Sequence, residues 1–550
     1  MLCCGKRLGA KSWPHLYAVV QAHVRAHKKR VTLAKAEGAV SADGSDLLRL
    51  VRMYQRFDRD VNGTRDLWQS AQSIWLNRRM TNGWEKEGFL EVRDGGLHID
   101  GVDAAALARE HGTPLFVFSE KRIRHNIARI TRASQLIDRP LKVCYAAKAM
   151  STMGILKLIR DIGIDIEVNS GGELWKALEA GFRGEQIIFN GTSKEVWELE
   201  MAISNEIYAI QVDSLYELSL IAETAERLGK RANVSLRLVP EIETKTHSGL
   251  QTALLTSKFG MMPDEALQAF AEYKDSAHVD LCGIHLHIGS QNPDPSVYTE
   301  ACEMLFDTLR KIHDASGVTL KHINIGGGFP VDYLPAENVQ VPANRTEMLA
   351  ADFDPANALA DAWNKVEEIA AASGDADLLN NITILTEPGR SIIADAGVCL
   401  TSVRNHKERP TSETTDHQPL ITDNWLLTDA GFNILLSMET YKWYYHLISA
   451  DRADEPHAFP YKLAGPLCDG GDVYFDIEGE GRLPDHRLLP RDVGVNEVLA
   501  LLNCGAYSLA QASQYNGRFL PALVLIRKNG NADVIRRRDS FQDLVNEDVY

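Results

Sequence analysis

The sequence has little basic charge, few cysteines and no long apolar run, and each shortage excludes a class of protein. Its 550 residues contain 59 Lys+Arg against 75 Asp+Glu, and this net charge of −16 argues against nucleic acid as the main partner. No apolar run approaches the roughly 18 residues of a membrane-spanning helix, so we predict no membrane partner. The eight cysteines have no metal-ligand spacing. We therefore predict no bound metal and, as the simplest compartment, a reducing cytoplasm.

The basic residues that are present concentrate at the start of the chain. Residues 1–85 contain 15 Lys+Arg against 7 Asp+Glu, a balance of +8 that leaves −24 for the remainder. Helical spacing of apolar residues at 16–30 and 46–59 predicts that residues 1–85 form a basic helical extension. A chain of 550 residues has room for two or three domains, and we place this extension outside the main ones.

From residue 142 onward, short apolar runs alternate with segments of helical spacing such as 172–180 and 215–228. Eight strands alternating with helices are typical of a (β/α)8 barrel, so the predicted fold class is α/β with a TIM-type barrel at 113–396. The predicted barrel strands are 142–147, 165–168, 186–190, 209–213, 233–239, 281–288, 322–325 and 382–386.

After the barrel, the sequence changes to strand-like runs joined by turn-rich polar loops. This rhythm predicts a C-terminal β domain at 397–550. A strand near 89–98, in a strand-and-helix segment at 86–112, is expected to complete that domain. The runs within the domain itself are 398–403, 418–428, 473–475, 498–504 and 522–527.

Chemically unusual residues stand at the C-terminal ends of several predicted barrel strands, where barrel enzymes hold their active sites. Lys148 closes the first strand and His287 the sixth, residues 326–328 are three glycines after the seventh, and Glu387 and Arg390 follow the eighth. Singly, a lysine that reaches solvent, a core histidine and a tight glycine turn are the more ordinary interpretations. Together they describe a pyridoxal phosphate site, with an amine for a Schiff base, backbone N–H groups for the phosphate, an imidazole for the ring and a carboxylate for the pyridine nitrogen.

The carboxylate indicates the type of reaction. It keeps the pyridine nitrogen protonated, so the ring withdraws electrons from the substrate's α-carbon. That choice favours carbanion chemistry such as decarboxylation. An arginine in its place would suit racemisation instead.

A series of ordered motifs, over about residues 86–550, resembles those of the barrel-fold pyridoxal phosphate decarboxylases, the family that contains diaminopimelate and ornithine decarboxylases. The resemblance implies an amino acid decarboxylase with pyridoxal 5′-phosphate as cofactor, nearest to the diaminopimelate branch. The competing interpretation is a relative that has lost catalysis and only regulates others, although such relatives commonly lose a cofactor residue. The motifs lie at 112–118, 145–149, 170–174, 257–260, 287–291, 326–328, 387–390, 465–472, 505–507 and 515–518.

The resemblance implies a role for each matching residue of the barrel rim. Lys148 would hold the cofactor's aldehyde carbon, His287 would lie against the ring, and Glu387 would pair with the ring nitrogen. Arg390 would contact the phosphate or a substrate carboxylate, and Tyr441 would contact substrate. The remaining cofactor contacts would come from Ser290, Gly327, Gly328, Gly389 and Tyr507, of which Tyr507 would also reach the substrate.

Cys468 and Asp469 would enter the site from the β domain of a second subunit, so the resemblance implies a homodimer with shared active sites. Cys468 would protonate the product carbanion, a task that suits a thiol with a reference pKa of about 8.5. Asp469 would contact substrate. Taken alone, such a cysteine is more often a small buried residue, and an aspartate beside glycines is more often a turn former.

The sequence departs from the family pattern at positions that select the substrate. Diaminopimelate decarboxylases typically grip the distal carboxylate with an arginine-proline pair, and this chain has Ser437 and Met438 there. The residue after the cysteine is Asp469 rather than glutamate, and this shorter carboxylate suits a distal ammonium, as in the ornithine branch. Three substrate classes stay open, namely meso-diaminopimelate, a basic amino acid such as lysine or ornithine, and a specialised amino acid.

Overall fold

The computed structural model describes residues 83–239, 257–334, 341, 343–410 and 422–549. The chain divides into two units, 1–81 and 82–550, and the description concerns the second. The predicted helices of the N-terminal extension and the first four residues of the predicted strand at 418–428 lie outside the described residues. Within the described part, no helix is long and apolar enough to cross a membrane.

A small antiparallel sheet precedes the barrel. Its strands are β1 (Leu90–Arg93), β2 (Gly96–Ile99) and β3 (Val102–Asp103), and the helix Ala104–His111 follows them. The next strand is β4 (Leu115–Ser119). The single strand predicted near 89–98 is therefore wrong, because a turn at Asp94 and Gly95, both with positive φ, folds this segment into a hairpin.

Eight parallel strands close into a barrel, which confirms the predicted fold class. All eight predicted runs form strands, which pair in chain order until the last strand pairs with the first. The strands are β5 (Leu141–Ala146), β6 (Asp165–Val168), β7 (Ile187–Phe189), β8 (Ala209–Val212), β9 (Ala232–Arg237), β10 (Val279–His285), β11 (His322–Asn324) and β12 (Thr383–Thr386).

Several helices around the barrel begin at a side chain that accepts an N–H group of the first turn. The hydroxyl of Ser170 accepts the N–H of Glu173 at 3.2 Å, and the hydroxyl of Ser214 accepts the N–H of Glu217 at the same distance. The helices are Glu120–Thr131, Ala133–Ile137, Met153–Ile162, Gly171–Ala180, Val196–Ser204, Leu215–Arg227, Pro263–Tyr273, Ser296–Ser316, Ala343–Leu349, Pro355–Ser373 and Arg390–Ile393.

The C-terminal part is a nine-stranded sheet. It contains β13 (Gly397–Pro410), β14 (Thr422–Thr428), β15 (Leu447–Ser449), β16 (Phe459–Ala464), β17 (Arg487–Leu489), β18 (Val498–Leu501), β19 (Ala522–Ile526) and β20 (Ala532–Arg536), with a short helix at Leu436–Thr440. The ninth strand is β4, which lies between β13 and β19. The predicted barrel range 113–396 includes β4, and that part of the prediction is wrong.

The predicted strand at 473–475 is also wrong, because Val473 forms only an isolated bridge to Ala464. The segment 86–112 packs on the sheet instead of joining it. Leu97 of β2 and Leu107 of the following helix share one hydrophobic cluster with Val117 of β4 and Val398 of β13. The burial of such side chains contributes about 1.5–3 kcal/mol each, which is enough to hold the hairpin against the β domain.

The barrel interior changes from apolar to polar along the strands. Cys144, Ile188 and Leu385 form a small buried cluster on three different strands. Because successive side chains alternate between the two faces of a strand, Asn190 and Glu387 occupy the same inner face two residues further along. The polar end of the barrel is therefore the C-terminal end of its strands, where a barrel holds its active site.

Candidate active site

Lys148 lies two residues past the end of β5 and faces a second carboxylate that the sequence did not single out. It sits in a single turn of 3-10 helix after β5. Its Nζ is 3.6 Å from Oε1 of Glu167 at the end of β6 and 3.4 Å from Oδ1 of Asn169. Burial by itself lowers the pKa of Lys148, but the charges of Glu167, Tyr507 and Glu387 outweigh it and raise that pKa above its usual value.

Glu387 is a buried carboxylate held by three strands. Its Oε1 accepts the Nδ2–H of Asn324 at 2.6 Å, and its Oε2 accepts the Nδ2–H of Asn190 at 3.0 Å. The ring Nε2 of His285 is 3.5 Å from the same Oε2. Burial by itself raises the pKa of Glu387, but His285, Lys148 and Asn324 together hold that pKa below its usual value, so the carboxylate is ionised.

The glycine turn after β11 contains no room for side chains. A Cβ at Gly327 would lie 2.3 Å from the carbonyl oxygen of Glu387, and one at Gly328 would lie 2.5 Å from that of Gly289. Gly326 and Gly328 also have positive φ, at 65° and 99°. These glycines therefore bring three strand ends together and leave a backbone concavity of the kind that receives a phosphate.

Arg390 lies across this concavity. Its Nε donates to the hydroxyl of Ser290 at 3.1 Å, and its Nη1 donates to the hydroxyl of Tyr333 at 3.0 Å. The guanidinium carbon is 4.6 Å from the ring centroid of Trp443 and 4.9 Å from that of Tyr507. Gly389 precedes Arg390, and a Cβ added there would lie 3.1 Å from the Cβ atoms of Ala146 and Ala149. These two alanines flank Lys148 in the sequence.

Tyr507 connects the β domain to the lysine turn. Its backbone N–H donates to the carbonyl oxygen of Ala149 at 3.0 Å, and its φ of 57° is in the left-handed region that tyrosine rarely adopts. A strained backbone held by its surroundings often marks a functional position. The two domains of one chain therefore meet at the predicted cofactor site.

His287 follows β10 and reaches the glycine turn. Its Nδ1 accepts the N–H of Gly327 at 3.2 Å. Burial, together with the positive charges of Lys148 and Arg237, lowers the pKa of His287 well below its usual value. The imidazole is therefore neutral near pH 7, which suits contact with an aromatic ring.

Cys468 and Asp469 stand apart from these groups. Both side chains are exposed on a loop of the β domain. The N–H of Cys468 donates to Oδ1 of Asn516 at 2.6 Å, and Oδ2 of Asp469 accepts the hydroxyl of Tyr515 at 3.2 Å. The buried Asp472 ties the loop down, because its carboxylate accepts the N–H groups of Leu467 at 2.8 Å and Phe432 at 2.9 Å.

Asp469 lines a cleft of about 590 Å³ on the β domain. Among the described residues that line it, only Asp469 carries a charge at neutral pH. Tyr515 and Phe432, which both line the cleft, stack on each other with ring centroids 6.0 Å apart. The lining residues are Phe432, Asn433, Leu436, Asp469, Gln511, Ser513 and Tyr515.

Ser437 and Met438, which replace the arginine-proline pair of the substrate motif, are buried. Ser437 is 5% exposed and Met438 is 2% exposed, and both lie in the helix Leu436–Thr440. Tyr441, which ends this helix, is half-buried, and its carbonyl oxygen accepts Nη2 of Arg345 at 2.9 Å.

Several polar residues of the site were missed in the sequence. They are Glu167, Asn190, His285, Asn324 and Tyr333, and the first four lie in or next to barrel strands. A signal was present, since each of those four is a polar residue that interrupts or ends an apolar run. Burying such a residue is costly unless it is hydrogen-bonded, so its position at a strand end indicates a polar network.

This arrangement fits pyridoxal phosphate. An amine, an ionised carboxylate, a neutral imidazole and a glycine concavity beside an arginine lie at one end of one barrel. Glycines at 326–328 leave no space for a Cβ, and the charge of Glu387 is stabilised by three neighbours. The fold and the site together define a pyridoxal-dependent barrel enzyme.

Comparison with known proteins identifies the family. The pyridoxal binding domain of the pyridoxal-dependent decarboxylases matches residues 122–394. The diaminopimelate decarboxylase of Methanocaldococcus jannaschii is 33% identical over 466 residues, which cover 84% of this chain and 96% of that protein. The diaminopimelate decarboxylase of Aquifex aeolicus is 32% identical over 464 residues, which cover 84% and 97%.

Solved structures agree with this assignment. The crystal structure of the M. jannaschii diaminopimelate decarboxylase in co-complex with L-lysine has a TM-score of 0.71 and 33% identity, and the match covers 84% of this chain and 98% of that one. The chain belongs to the pyridoxal-dependent decarboxylase family. It is a carboxy-lyase that depends on pyridoxal phosphate, and its function is of the diaminopimelate decarboxylase type.

Proposed function

We propose that this enzyme removes the α-carboxylate of a diamino acid, with pyridoxal phosphate held on the barrel rim by the residues described above. The observation that carries the proposal is the convergence of the Lys148 amine and the ionised Glu387 carboxylate on one polar barrel end. The buried Glu167 connects them, because it lies 3.6 Å from Lys148 and shares the donor Asn190 with Glu387.

Each barrel residue then has one task. When bound, the cofactor supplies a protonated ring that accepts the electron pair left by departing carbon dioxide. Lys148 would hold the cofactor's aldehyde carbon through its amine, and Glu387 would hold a proton at the ring nitrogen. His287, neutral because of its burial, would lie against the ring.

The phosphate end is assigned to the glycine concavity. Gly327 and Gly328 would line the phosphate, with the N–H of Gly328 and the hydroxyl of Ser290 as donors, because the N–H of Gly327 already donates to Nδ1 of His287. Gly389 lets the chain pass close to Lys148. Arg390 adds a fixed positive charge, since its guanidinium is already oriented by Ser290 and Tyr333. Tyr507, from the β domain, packs against Arg390 at this end of the site.

We also propose a homodimer in which Cys468 and Asp469 complete the neighbour's site. The support is that both side chains are exposed and that the hydrogen bonds of their loop run to residues of the same β domain. Cys468 would give its thiol proton to the product α-carbon. The six cysteines in the described residues are free thiols, which fits the reducing cytoplasm that we propose as the compartment.

The substrate class rests on the cleft around Asp469. Among its described lining residues, Asp469 is the one with a charge, and Phe432 and Tyr515 add aromatic rings. A negative charge beside aromatic rings favours a substrate with a distal ammonium over one with a distal carboxylate. The relatives named as diaminopimelate decarboxylases favour meso-diaminopimelate, which has an ammonium and a carboxylate at its distal end. Lysine and ornithine have the ammonium alone, so they are the second candidate.

A carbon dioxide release assay tests the function and separates these substrates. We expect release from meso-diaminopimelate or from lysine or ornithine, with visible-edge absorbance from bound pyridoxal phosphate and attachment at Lys148 after borohydride reduction. A chain that takes up no pyridoxal phosphate and releases no carbon dioxide from any of these amino acids would refute the proposed function.

The dimer has its own test. Lys148→Ala and Cys468→Ala chains are each expected to be nearly inactive, and a mixture with proven subunit exchange should regain one good site per heterodimer. Equal mixing of Lys148→Ala with Glu387→Ala is the control, because both changes lie in the same half-site and no good site can form. Failure of the first mixture to recover activity would place Cys468 outside the shared site.

A further inference from the structure

Two carboxylates share one amide donor beneath Lys148. Nδ2 of Asn190 donates to Oε1 of Glu167 at 2.8 Å and to Oε2 of Glu387 at 3.0 Å. The same Oε1 of Glu167 is 3.6 Å from Nζ of Lys148. An unbroken polar chain therefore runs from the amine through Glu167 and Asn190 to Glu387.

Glu167 is the most enclosed member of this chain. Its side chain is 0% exposed, and its Oε2 has no hydrogen-bond partner among the described residues. An ionised carboxylate in that position needs a nearby positive charge, and Lys148 supplies it. The charge states of the two groups are therefore linked.

The two carboxylates are not equivalent. Glu387 has donors on both oxygens and His285 beside it, whereas Glu167 has one amide donor and the lysine. Burial and the charge of Glu387 raise the pKa of Glu167, while its neighbours lower that of Glu387. A proton that enters this network therefore goes to Glu167.

We propose that Lys148 and Glu167 exchange one proton, and that Glu167 and Asn190 are positioning residues that set when Lys148 is a free amine. This inference rests on the proposed function, because it concerns how Lys148 becomes reactive. In the exchange, an N–H bond of the lysine ammonium breaks and an O–H bond forms on Glu167. A neutral amine with its lone pair and a neutral acid result, and no other reactant is consumed. The neighbouring Asn169 cannot replace Glu167, because an amide oxygen does not hold the proton.

The test is the pH dependence of Lys148 labelling in the full chain stripped of cofactor. Only the neutral amine reacts with acetic anhydride, so the midpoint of labelling against pH, read by peptide mass spectrometry, reports the protonation of Lys148. Glu167→Gln should lower this midpoint by at least about one pH unit, which raises the labelling rate below the midpoint about tenfold. Asn190→Ala should lower it by less, because Glu167 stays but is more often protonated.

A matched control lies on the same two strands. Lys142 pairs with Asp165 at 2.5 Å, at the opposite end of β5 and β6. Asp165→Asn should move the labelling of Lys142 and leave that of Lys148 unchanged, whereas Glu167→Gln should do the reverse. An unchanged Lys148 midpoint in folded Glu167→Gln, with the Lys142 control responding, would overturn the proposal.

A second variant covers the case in which Glu167→Gln does not fold. Glu167→Asp keeps a carboxylate one methylene further from the amine, and we expect a smaller shift in the same direction. No shift there, with native circular dichroism, would equally overturn the proposal. This outcome is distinguishable from failure of the proposed function, because labelling needs neither cofactor uptake nor carbon dioxide release.

Discussion

The barrel rim and the loop of Cys468 and Asp469 carry the same kinds of functional groups in opposite settings. Glu387 is 6% exposed and has a donor on each oxygen, whereas Asp469 is exposed on its loop. The groups of the rim are held in place by hydrogen bonds between strands of one chain. Among the described residues, the hydrogen bonds given for the loop run within its own domain, so we expect its substrate to be brought to it by another part of the assembly.

This difference separates two kinds of mutational effect. A buried group that is hydrogen-bonded on several sides supports folding and chemistry together, so its loss is expected to change both. An exposed group can be removed without loss of stability, so its loss reports function alone. Four substitutions test this distinction.

The largest effect is expected from Lys148→Ala, which should abolish turnover because it removes the amine that would hold the cofactor's aldehyde. Borohydride reduction should then fix no cofactor at this position, as measured by mass spectrometry. Lys142→Ala is the control, since it removes a lysine from the same strand at the far end of the barrel. Equal activity of Lys148→Ala and wild type would contradict the assignment.

Glu387→Gln is expected to lower kcat by on the order of 10²–10⁴-fold, the range of a positioned proton-handling group. It should also cost about 1–3 kcal/mol of unfolding free energy at pH 7, because the charged hydrogen bonds weaken. The folded pKa of Glu387 is lowered, so the charge stabilises the fold above the unfolded pKa of about 4.3 and this contribution is lost as pH falls through the lower folded value. Denaturant unfolding from pH 3 to 7 measures it, and a wild-type advantage that grew towards acid would contradict the sign.

Cys468→Ala is expected to slow turnover by about 10²-fold through loss of the proton donor, with no change in stability. Cofactor absorbance should stay, because the loop makes no contact with Lys148 or Glu387 in the described structure. Cys399→Ala, in the core of β13, is the contrasting variant: it should cost stability and leave the reaction mechanism unchanged. A Cys468→Ala enzyme with the wild-type rate and product would remove the thiol from the mechanism.

The smallest effect is expected from Asp469→Asn. It should reduce kcat/KM for a substrate with a distal ammonium by about tenfold and change the unfolding free energy by less than about 0.5 kcal/mol. Asp533→Asn, a half-exposed aspartate elsewhere in the β domain, serves as the surface control. If the two variants had the same kinetics, Asp469 would not contact the substrate.

The sequence predicted the barrel well because each strand and helix carries its own periodic signal. Every one of the eight predicted strands is present, since an apolar run bounded by polar turns is sufficient to recognise a buried parallel strand. The β domain was predicted less well. The strand β4 pairs with β13 and β19, which lie hundreds of residues further on, and nothing local distinguishes it from a strand of the barrel.

The candidate site divides in the same way. Lys148, His287, Glu387 and the glycine triplet were visible because they are unusual at strand ends and match a family pattern. Glu167, Asn190 and Asn324 were missed because a polar residue that interrupts an apolar run indicates a polar network without showing which residues it bonds. Their importance comes from contacts between different strands.

The sequence by itself determined the fold class, the family and the groups that can perform the chemistry, because these depend on residue type and local spacing. Only the tertiary structure decided which of those groups share a hydrogen-bond donor and which lie beside an opposite charge. Barrel closure places Glu387 within reach of Asn190, 197 positions earlier, and places Lys148 beside Glu167. Such contacts arise from the inward alternation of side chains around a closed ring of strands, which no short stretch of sequence specifies.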